Sequence, residues 1–365
     1  MRIPLLDIVK MHRPIRDEIL AAMTEVLDSG SYINGSYVEN FEGEFAAYTG
    51  TKRAVGVTSG SDALIVALMA LDVKPGDEII TSSFTFFATA GAIVRVGARP
   101  VFADIDPVTF NIDPADIKAR VTKRTAGIIP AHLFGQSADM DPINAIARTH
   151  GLWVVEDAAQ SIGALYHGRM CGSLSTIGTY SFFPAKNLGC LGDGGACVTN
   201  DAALAEQIEV LRNHGMKPRY YHKLVGGNFR LDALQAAVLS VKLPYLKGWE
   251  KQRRAAAAAY TGLLSGNDLF VPPTETPGNY HVFNQYELRV KQGRRDAAVA
   301  KLTEAGIGNA IYYPVPLHLQ ECFAGLGYKR GDLPVTEQAC DEVLALPILA
   351  DEQTCRAVVD VLRQV

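Results

Sequence analysis

The chain has 365 residues, of which 48% are hydrophobic and 20% are charged, and its formal net charge is −4. This length is sufficient for two domains with a substantial core. Without a basic excess, nucleic acid is not expected as a partner. The first residues lack the apolar core of a signal peptide, and no uncharged apolar run approaches the length of a membrane span. We therefore expect a cytoplasmic protein.

Cysteine and histidine spacing gives no sign of a metal site. The six cysteines occur without a CxxC pair, and no two of the eight histidines form an HExxH pattern. In a chain without a secretory signal, scattered cysteines indicate free thiols rather than disulfides. We expect no protein-bound metal.

The first two-thirds of the chain alternate strand-like and helix-like segments. Strands are predicted at residues 53–58, 78–81, 100–104, 127–131, 152–156, 178–183 and 195–199. Helical periodicity is found at residues 86–96, 114–121 and 140–150. Repeated strand–helix units predict a mainly parallel sheet with helices on both faces.

The pattern changes after residue 245. A long Ala-rich helix is predicted near residues 246–264, followed by a strand at 284–290, a helix at 295–305 and a terminal helix after Asp351. We predict a large α/β domain at residues 1–245, including an N-terminal helix, and a smaller α+β domain at residues 246–365.

The segment Ser59-Gly60-Ser61-Asp62 follows the first strand and opens a helix. Free N–H groups and the helix dipole attract anions at such a position, so Gly60 and Ser61 are candidates for binding a phosphate. The alternative is an ordinary N-cap, and the segment taken alone favours that alternative.

A lysine and a carboxylate stand at the ends of two other strands. Lys186 lies in a turn between Pro184 and Gly189, and Asp157 follows Glu156 at the end of a strand that is expected to be buried. Burial of two adjacent carboxylates suggests a cationic partner, such as a protonated pyridine nitrogen or an arginine. A lysine amine and a strand-end carboxylate are the groups that a pyridoxal phosphate enzyme requires.

Other polar and aromatic residues near these strand ends permit two interpretations. Phe86 can stack on a ring or pack in the core, and Ser181, five residues before Lys186, can reach a phosphate or simply belong to its strand. The glycine-rich residues 189–195 predict a chain reversal rather than a nucleotide loop.

Two later segments carry polar side chains whose role the sequence leaves open. Asn228 and Arg230 precede an apolar helix at residues 233–241, and Tyr313 and His318 lie in a segment rich in aromatics and prolines. Each segment can be structural or can supply ligand contacts.

Together these motifs resemble the nucleotide-sugar aminotransferases of the DegT/DnrJ/EryC1/StrS family. The strings SGSDAL from residue 59, EDAAQ from 156, SFFPAK from 181 and NFRLD from 228 occur in the family's order. The resemblance covers nearly the whole chain. It implies the fold type I architecture of pyridoxal phosphate-dependent transferases: a large domain with a mainly parallel seven-stranded sheet and a smaller C-terminal α+β domain.

The resemblance also implies roles for individual residues. Lys186 would be the catalytic lysine that binds pyridoxal 5'-phosphate covalently and shuttles the proton. Asp157 would pair with the pyridine nitrogen and Gln160 with the ring 3-oxygen, while Phe86 would stack on the ring. The phosphate would be bound by Gly60, Ser61 and Ser181.

A homodimer with shared active sites is implied as well, because Asn228 matches a residue that reaches the phosphate of the other subunit. Tyr313, His318 and Arg230 fall where the resemblance implies contacts with the sugar nucleotide. The implied partners are L-glutamate and a nucleotide-linked keto-sugar, with amino transfer at C3 in amino-sugar and polysaccharide biosynthesis.

Three alternatives remain from the sequence. The enzyme can aminate C4 instead of C3, it can be a dehydratase, or it can be a non-catalytic regulator that binds pyridoxal phosphate. Lys186 argues against a dehydratase, since relatives with that activity have histidine there. The intact set of Lys186, Asp157 and Gln160 argues against loss of catalysis.

Overall fold

A computed structural model describes residues 2–365 of the chain. These residues contain thirteen α-helices: α1 Ile8–His12, α2 Arg16–Ser29, α3 Ser36–Thr49, α4 Gly60–Ala70, α5 Phe87–Arg95, α6 Pro114–Arg120, α7 Met140–His150, α8 Ala202–Arg212, α9 Ala233–Lys242, α10 Leu246–Leu263, α11 Arg295–Glu304, α12 Pro334–Glu342 and α13 Glu352–Leu362. No helix within this described part is both long and apolar enough to cross a membrane.

The same residues form thirteen strands: β1 Arg53–Val57, β2 Glu78–Ser82, β3 Arg99–Ala103, β4 Thr125–Ile129, β5 Trp153–Asp157, β6 Leu165–Tyr166, β7 Arg169–Met170, β8 Ile177–Ser181, β9 Gly195–Thr199, β10 Phe270–Val271, β11 Asn279–Tyr280, β12 Tyr286–Val290 and β13 Val343–Leu346. The largest sheet has seven strands in the order β1-β9-β8-β5-β4-β2-β3. Its pairs are parallel except for those of β9, which runs antiparallel to β1 and β8.

The predicted fold class is confirmed by this architecture. Helix α7 and strand β9 begin and end where the sequence predicts, and the other predicted helices and strands differ from the observed ones by at most two residues at either end. The glycine-rich residues 189–195 form the predicted reversal, which returns β9 antiparallel to β8. The polar ends of β1, β5 and β8 therefore meet at one edge of the sheet, where ligands bind in open α/β folds.

Aromatic side chains fill the core between the sheet and α3. Phe41, Phe45, Tyr180 and Phe182 are fully buried, and Phe45 packs edge to face on Tyr180 and Phe182, with ring centroids 5.0 and 5.2 Å apart. Since Tyr180 belongs to β8 and Phe182 follows it, this cluster fixes the strand that leads to Lys186.

The C-terminal part forms a second core around a three-stranded sheet, β10-β12-β13, covered by α10, α11 and α13. This arrangement agrees with the smaller α+β domain that we propose from residue 246. The N-terminal segment departs from the proposed boundary, because Ile3 pairs with Ile307 and the Leu5 carbonyl accepts a hydrogen bond from the Ile348 N–H. Residues 3–6 thus pack with the C-terminal unit.

We expect Phe45→Ala to destabilise the protein by about 3–5 kcal/mol, because it leaves a cavity in a closely packed aromatic cluster. Urea unfolding monitored by circular dichroism measures the free energy of unfolding. Val9→Ala is the control, since Val9 is 72% exposed. A loss below about 1 kcal/mol for Phe45→Ala would contradict the assigned packing.

Candidate active site

A cavity of about 410 Å³ lies at the carboxyl edge of the seven-stranded sheet. Eight of the residues singled out from the sequence line it: Gly60, Ser61, Phe86, Asp157, Gln160, Ser181, Lys186 and Tyr313. These residues come from the ends of β1, β5 and β8 and from two more distant loops. The fold therefore brings most of the candidate residues to one place.

The N-terminus of α4 provides one wall of the cavity. Ser59 is its N-cap, and its hydroxyl oxygen accepts a hydrogen bond of 3.1 Å from the Asp62 N–H. The cap leaves the N–H groups of Gly60 and Ser61 at the positive end of an eleven-residue helix. Both interpretations of this segment therefore hold: Ser59 caps the helix, and the next two residues can bind an anion.

Gly60 is required by its close approach to Ser181. A Cβ atom at position 60 would lie 2.5 Å from the Ser181 Cβ, which is closer than any real contact of this type. The Ser181 oxygen accepts a hydrogen bond of 3.3 Å from the Phe183 N–H and keeps its own proton free to donate. Two backbone N–H groups and a hydroxyl thus face the same end of the cavity.

Asp157 and Glu156, which are adjacent in sequence, have separate roles. Asp157 lines the cavity, and its carboxylate accepts hydrogen bonds from the Thr89 hydroxyl at 2.7 Å and from the Ala159 N–H at 3.2 Å. It is 7% exposed. Thr89 holds one carboxylate oxygen and thereby fixes the direction in which Asp157 faces the cavity.

Glu156 points to the other side of the sheet, away from Asp157. It accepts hydrogen bonds from His132 Nε2 at 2.8 Å, the Gly172 N–H at 2.6 Å, the Leu174 N–H at 2.7 Å and the Ser175 hydroxyl at 2.9 Å. The expectation of a cationic partner was wrong for Glu156, because four donors satisfy this buried carboxylate instead.

Gln160 is held in one orientation by its neighbours. Its side-chain oxygen accepts a hydrogen bond of 2.8 Å from the Phe134 N–H, and its nitrogen donates to the Tyr313 hydroxyl at 2.9 Å. Because a backbone N–H can only donate, the amide nitrogen must face Tyr313 and the cavity. Gln160 therefore presents an N–H to a ligand, and the Tyr313 hydroxyl keeps its proton free to donate.

Lys186 is held on a tight turn between β8 and β9. Its N–H donates to the Phe183 carbonyl at 2.8 Å, and the Cys190 N–H donates to the Phe182 carbonyl at 2.7 Å. The buried ammonium group of Lys242 donates to the carbonyl of Gly189 from the opposite side. These hydrogen bonds fix the backbone of the turn that carries the Lys186 side chain.

Burial of the amine lowers the pKa of Lys186 to about 8, and the nearby charge of Asp157 opposes part of this shift. Removal from water penalises the ammonium form more than a single carboxylate stabilises it. An amine with such a pKa can both accept and give up a proton near neutral pH, as a general base requires.

Phe86 is the N-cap residue of α5 and is 56% exposed, with its ring centroid 6.3 Å from that of Tyr313. An aromatic ring in this position cannot be explained by core packing, which was the alternative interpretation. Its exposed face is available to stack on a planar ligand in the cavity.

Three predicted residues do not reach the cavity within this chain. Arg230 donates to Asn213 Oδ1 at 2.9 Å, and Asn228 is exposed outside the cavity. His318 is 1% exposed and bonds Ser83 Oγ at 2.7 Å and Glu337 Oε1 at 3.2 Å. Since both ring nitrogens of His318 are occupied, its position supports a structural role rather than the predicted substrate contact.

The sequence interpretation did not identify four polar residues that belong to the site. Thr89 positions Asp157, His132 lines the cavity, and Asn284 and Gln285 reach it from the C-terminal unit. The two adjacent amides at the start of the predicted strand 284–290 were a signal that could have been used. No sequence signal pointed to Thr89, because its contact with Asp157 joins residues 68 positions apart.

A mainly parallel sheet with a lysine and a carboxylate at its carboxyl edge defines a class of enzyme, the fold type I aminotransferases. Comparison with known sequences agrees, since the profile of the DegT/DnrJ/EryC1/StrS aminotransferase family matches residues 13–363. The chain belongs to this family.

Curated relatives share about half of the sequence. A protein of Geobacillus stearothermophilus described as a pleiotropic regulatory protein is 54% identical over 96% of this chain and 94% of its own. The UDP-N-acetyl-3-dehydro-alpha-D-glucosamine 3-aminotransferase of Acidithiobacillus ferrooxidans is 45% identical over 97% of this chain and 95% of its own. The dTDP-3-amino-3,4,6-trideoxy-alpha-D-glucose transaminase of Streptomyces venezuelae is 43% identical, over 100% and 96%.

Solved structures confirm the fold. DesV of Streptomyces venezuelae, in complex with a ketimine intermediate, superposes with a TM-score of 0.96 at 42% identity, covering 100% of this chain and 98% of DesV. NtdA of Bacillus subtilis, with the bound cofactor PMP, superposes with a TM-score of 0.91 at 31% identity, covering 99% and 85%.

The lowered pKa of Lys186 predicts its reactivity. In protein free of ligand, acetylation of Lys186 by acetic anhydride should reach half its maximum near pH 8, because only the neutral amine reacts. The exposed Lys251 is the internal control for the amount of reagent. Peptide mass spectrometry measures both rates.

Asp157→Asn should lower the pH at which acetylation of Lys186 reaches half its maximum, because the charge of Asp157 raises the pKa of Lys186. A midpoint for Lys186 acetylation above about pH 10 would contradict the lowering of its pKa by burial.

Proposed function

We propose that the protein is a pyridoxal phosphate-dependent aminotransferase that moves an amino group from L-glutamate to C3 of a nucleotide-linked 3-keto-sugar. The observation that carries this proposal is the position of Lys186, an amine with a lowered pKa, in one cavity with Asp157 and Gln160. The names of the relatives at 43–45% identity support the sugar nucleotide and the C3 position.

The donors of the cavity fit the cofactor. The free N–H groups of Gly60 and Ser61 and the hydroxyl of Ser181 would hold its phosphate at the N-terminus of α4. The exposed face of Phe86 would cover the ring. Bound there, pyridoxal phosphate supplies a ring that withdraws electrons from the reacting carbon of the substrate.

Asp157 and Gln160 would set the electronic state of that ring. The Asp157 carboxylate, fixed by Thr89, would accept a hydrogen bond from the protonated pyridine nitrogen and stabilise its charge. The N–H of Gln160 would donate to the ring 3-oxygen, in the direction that its bond to the Phe134 N–H imposes.

Lys186 would bind the cofactor covalently in the resting enzyme and carry the proton during transfer. As a free amine on its fixed turn, Lys186 would take a proton from the Cα of the amino donor and give one to the adjoining carbon of the cofactor, and it would move the proton in the opposite direction with the keto-sugar. The pKa of about 8 suits both directions near neutral pH.

The choice of C3 over C4 rests on the relatives. Their names place the amino or keto group at C3 of UDP- or dTDP-sugars. Tyr313, whose hydroxyl proton is free at the cavity wall, would contact the sugar. A mass-spectrometric assay with matched 3-keto and 4-keto sugar nucleotides and glutamate distinguishes the two positions.

A regulatory role without catalysis is the alternative that the Geobacillus stearothermophilus relative raises through its description. Asp157 and Gln160 would serve cofactor binding in either case, whereas the lowered pKa of Lys186 suits a group that moves protons, which binding alone does not require. This observation favours catalysis, and formation of an amino sugar would establish it.

Lys186→Ala should abolish covalent attachment of the cofactor and lower turnover by about 100-fold or more, since the general base is lost. Borohydride reduction followed by peptide mapping measures attachment, and mass spectrometry measures the amino sugar. The exposed Lys251→Ala is the matched control and should retain full activity. Turnover of Lys186→Ala within twofold of the unaltered enzyme would remove Lys186 from the mechanism.

A homodimer with shared sites is part of the proposal. Asn228 follows a segment in which Tyr220, Tyr221 and Val225 are 74%, 70% and 90% exposed, as expected for side chains that a second subunit covers. From that surface Asn228 would contact the phosphate in the partner's cavity, and Arg230 would contact the sugar nucleotide there.

Mixed dimers test whether each active site contains residues of both subunits. Lys186→Ala and Asn228→Ala, each weakly active alone, should regain about a quarter of full activity after unfolding and refolding together in equal amounts, because half of the mixed sites contain both unaltered residues. If Asn228 serves the site of its own chain, every active site of a mixed dimer contains one of the two substitutions, and activity does not recover.

A further inference from the structure

Two adjacent amides line the cavity on the side of the C-terminal unit. Asn284 is 6% exposed, and its nitrogen donates to the Gln285 side-chain oxygen at 2.6 Å. The Asn284 Oδ1 atom is buried without a hydrogen-bond partner. A buried acceptor without a partner costs about 1–3 kcal/mol, so this atom is expected to be satisfied by a ligand.

The backbone that carries the two amides is fixed. Arg253 of α10, which is fully buried, donates to the Phe283 and Asn284 carbonyls at 3.3 and 3.1 Å. The Val282 N–H donates to the Gly135 carbonyl at 2.9 Å, beside the Phe134 N–H that orients Gln160. These hydrogen bonds hold the backbone in place, whereas the side-chain amide groups can rotate.

Rotation of both amides by half a turn preserves the hydrogen bond between them and reverses its direction. In the observed orientation Asn284 presents an acceptor at its buried position, which suits a hydroxyl group. In the reversed orientation Gln285 donates to Asn284, and Asn284 presents an N–H, which suits a carboxylate. The pair can thus offer either an acceptor or a donor at one point without a change in charge.

An aminotransferase has to bind two chemically different substrates in one cavity in turn. The donor, glutamate, carries carboxylates that need hydrogen-bond donors, whereas the sugar carries hydroxyls that can donate. We propose that the Asn284–Gln285 pair contacts both substrates by reversing its hydrogen bond, with a carboxylate bound in one orientation and a sugar hydroxyl in the other. This inference rests on the proposed function.

Two substitutions at position 284 separate the orientations. Asn284→Asp keeps the shape of the side chain, fixes it as an acceptor and adds a negative charge. It should raise the dissociation constant of glutarate, which has the donor's two carboxylates and no amino group, by about tenfold or more. The KM of the keto-sugar should change by less than about threefold. Calorimetry measures glutarate binding to the cofactor-loaded enzyme, and steady-state kinetics measures the sugar.

In Asn284→Leu the side chain has a similar size and offers neither a donor nor an acceptor. The dissociation constant of glutarate and the KM of the keto-sugar should therefore both rise by about tenfold. Gln353→Glu is the control for charge, because it makes the same amide-to-acid change on the exposed face of α13. It should leave both constants within about twofold of those of the unaltered enzyme.

Equal effects of Asn284→Asp on glutarate and sugar, or no effect on either, would overturn the proposal. The same applies if Asn284→Leu leaves both constants unchanged. Failure of the proposed function gives a different result: the unaltered, cofactor-loaded protein would form no amino sugar from any keto-sugar offered with glutamate. Glutarate binding is measured without turnover, so the two failures are distinguishable.

Discussion

The burial of one amine beside one carboxylate is the constraint on which the site depends. Desolvation lowers the pKa of Lys186 toward neutral pH, while Asp157 stands near enough to limit the shift. Maintaining this balance requires a rigid turn, which the hydrogen bonds to the Phe183 and Gly189 carbonyls provide. The aromatic cluster of Phe45, Tyr180 and Phe182 fixes strand β8, and β8 leads into this turn. The same side chains therefore stabilise the fold and position Lys186.

The sequence predicted the parts of the site that are encoded locally. Gly60, Asp157 and Lys186 each follow a strand in a short motif, and parallel strands bring their carboxyl ends to one edge without further information. Helix α7 was predicted to the residue because its apolar periodicity is strong and Gly151 ends it. Such features depend on neighbours in the chain, which a reader of one sequence can see.

Features that depend on distant contacts could not be predicted. Whether Glu156 needed a cation was decided by the turn at residues 172–175, whose N–H groups satisfy the carboxylate. His318 looked like a ligand residue, yet Ser83 and Glu337, both remote in sequence, occupy its ring nitrogens. The adjacent amides Asn284 and Gln285 could be noticed in the sequence, but their place at the cavity could not, because the cavity is formed largely by the other unit. A polar residue acquires its role from the partners that folding gives it.

The pairing of Ile3 with Ile307 has a consequence for motion. The chain passes between the two units near residue 245, and it passes again where residues 3–6 lie on the C-terminal unit. The pairing of β11 with β6 and the hydrogen bond from the Val282 N–H to the Gly135 carbonyl join the two units at further points. The smaller unit is therefore held at several places around the cavity, and Asn284 keeps its position at the cavity wall.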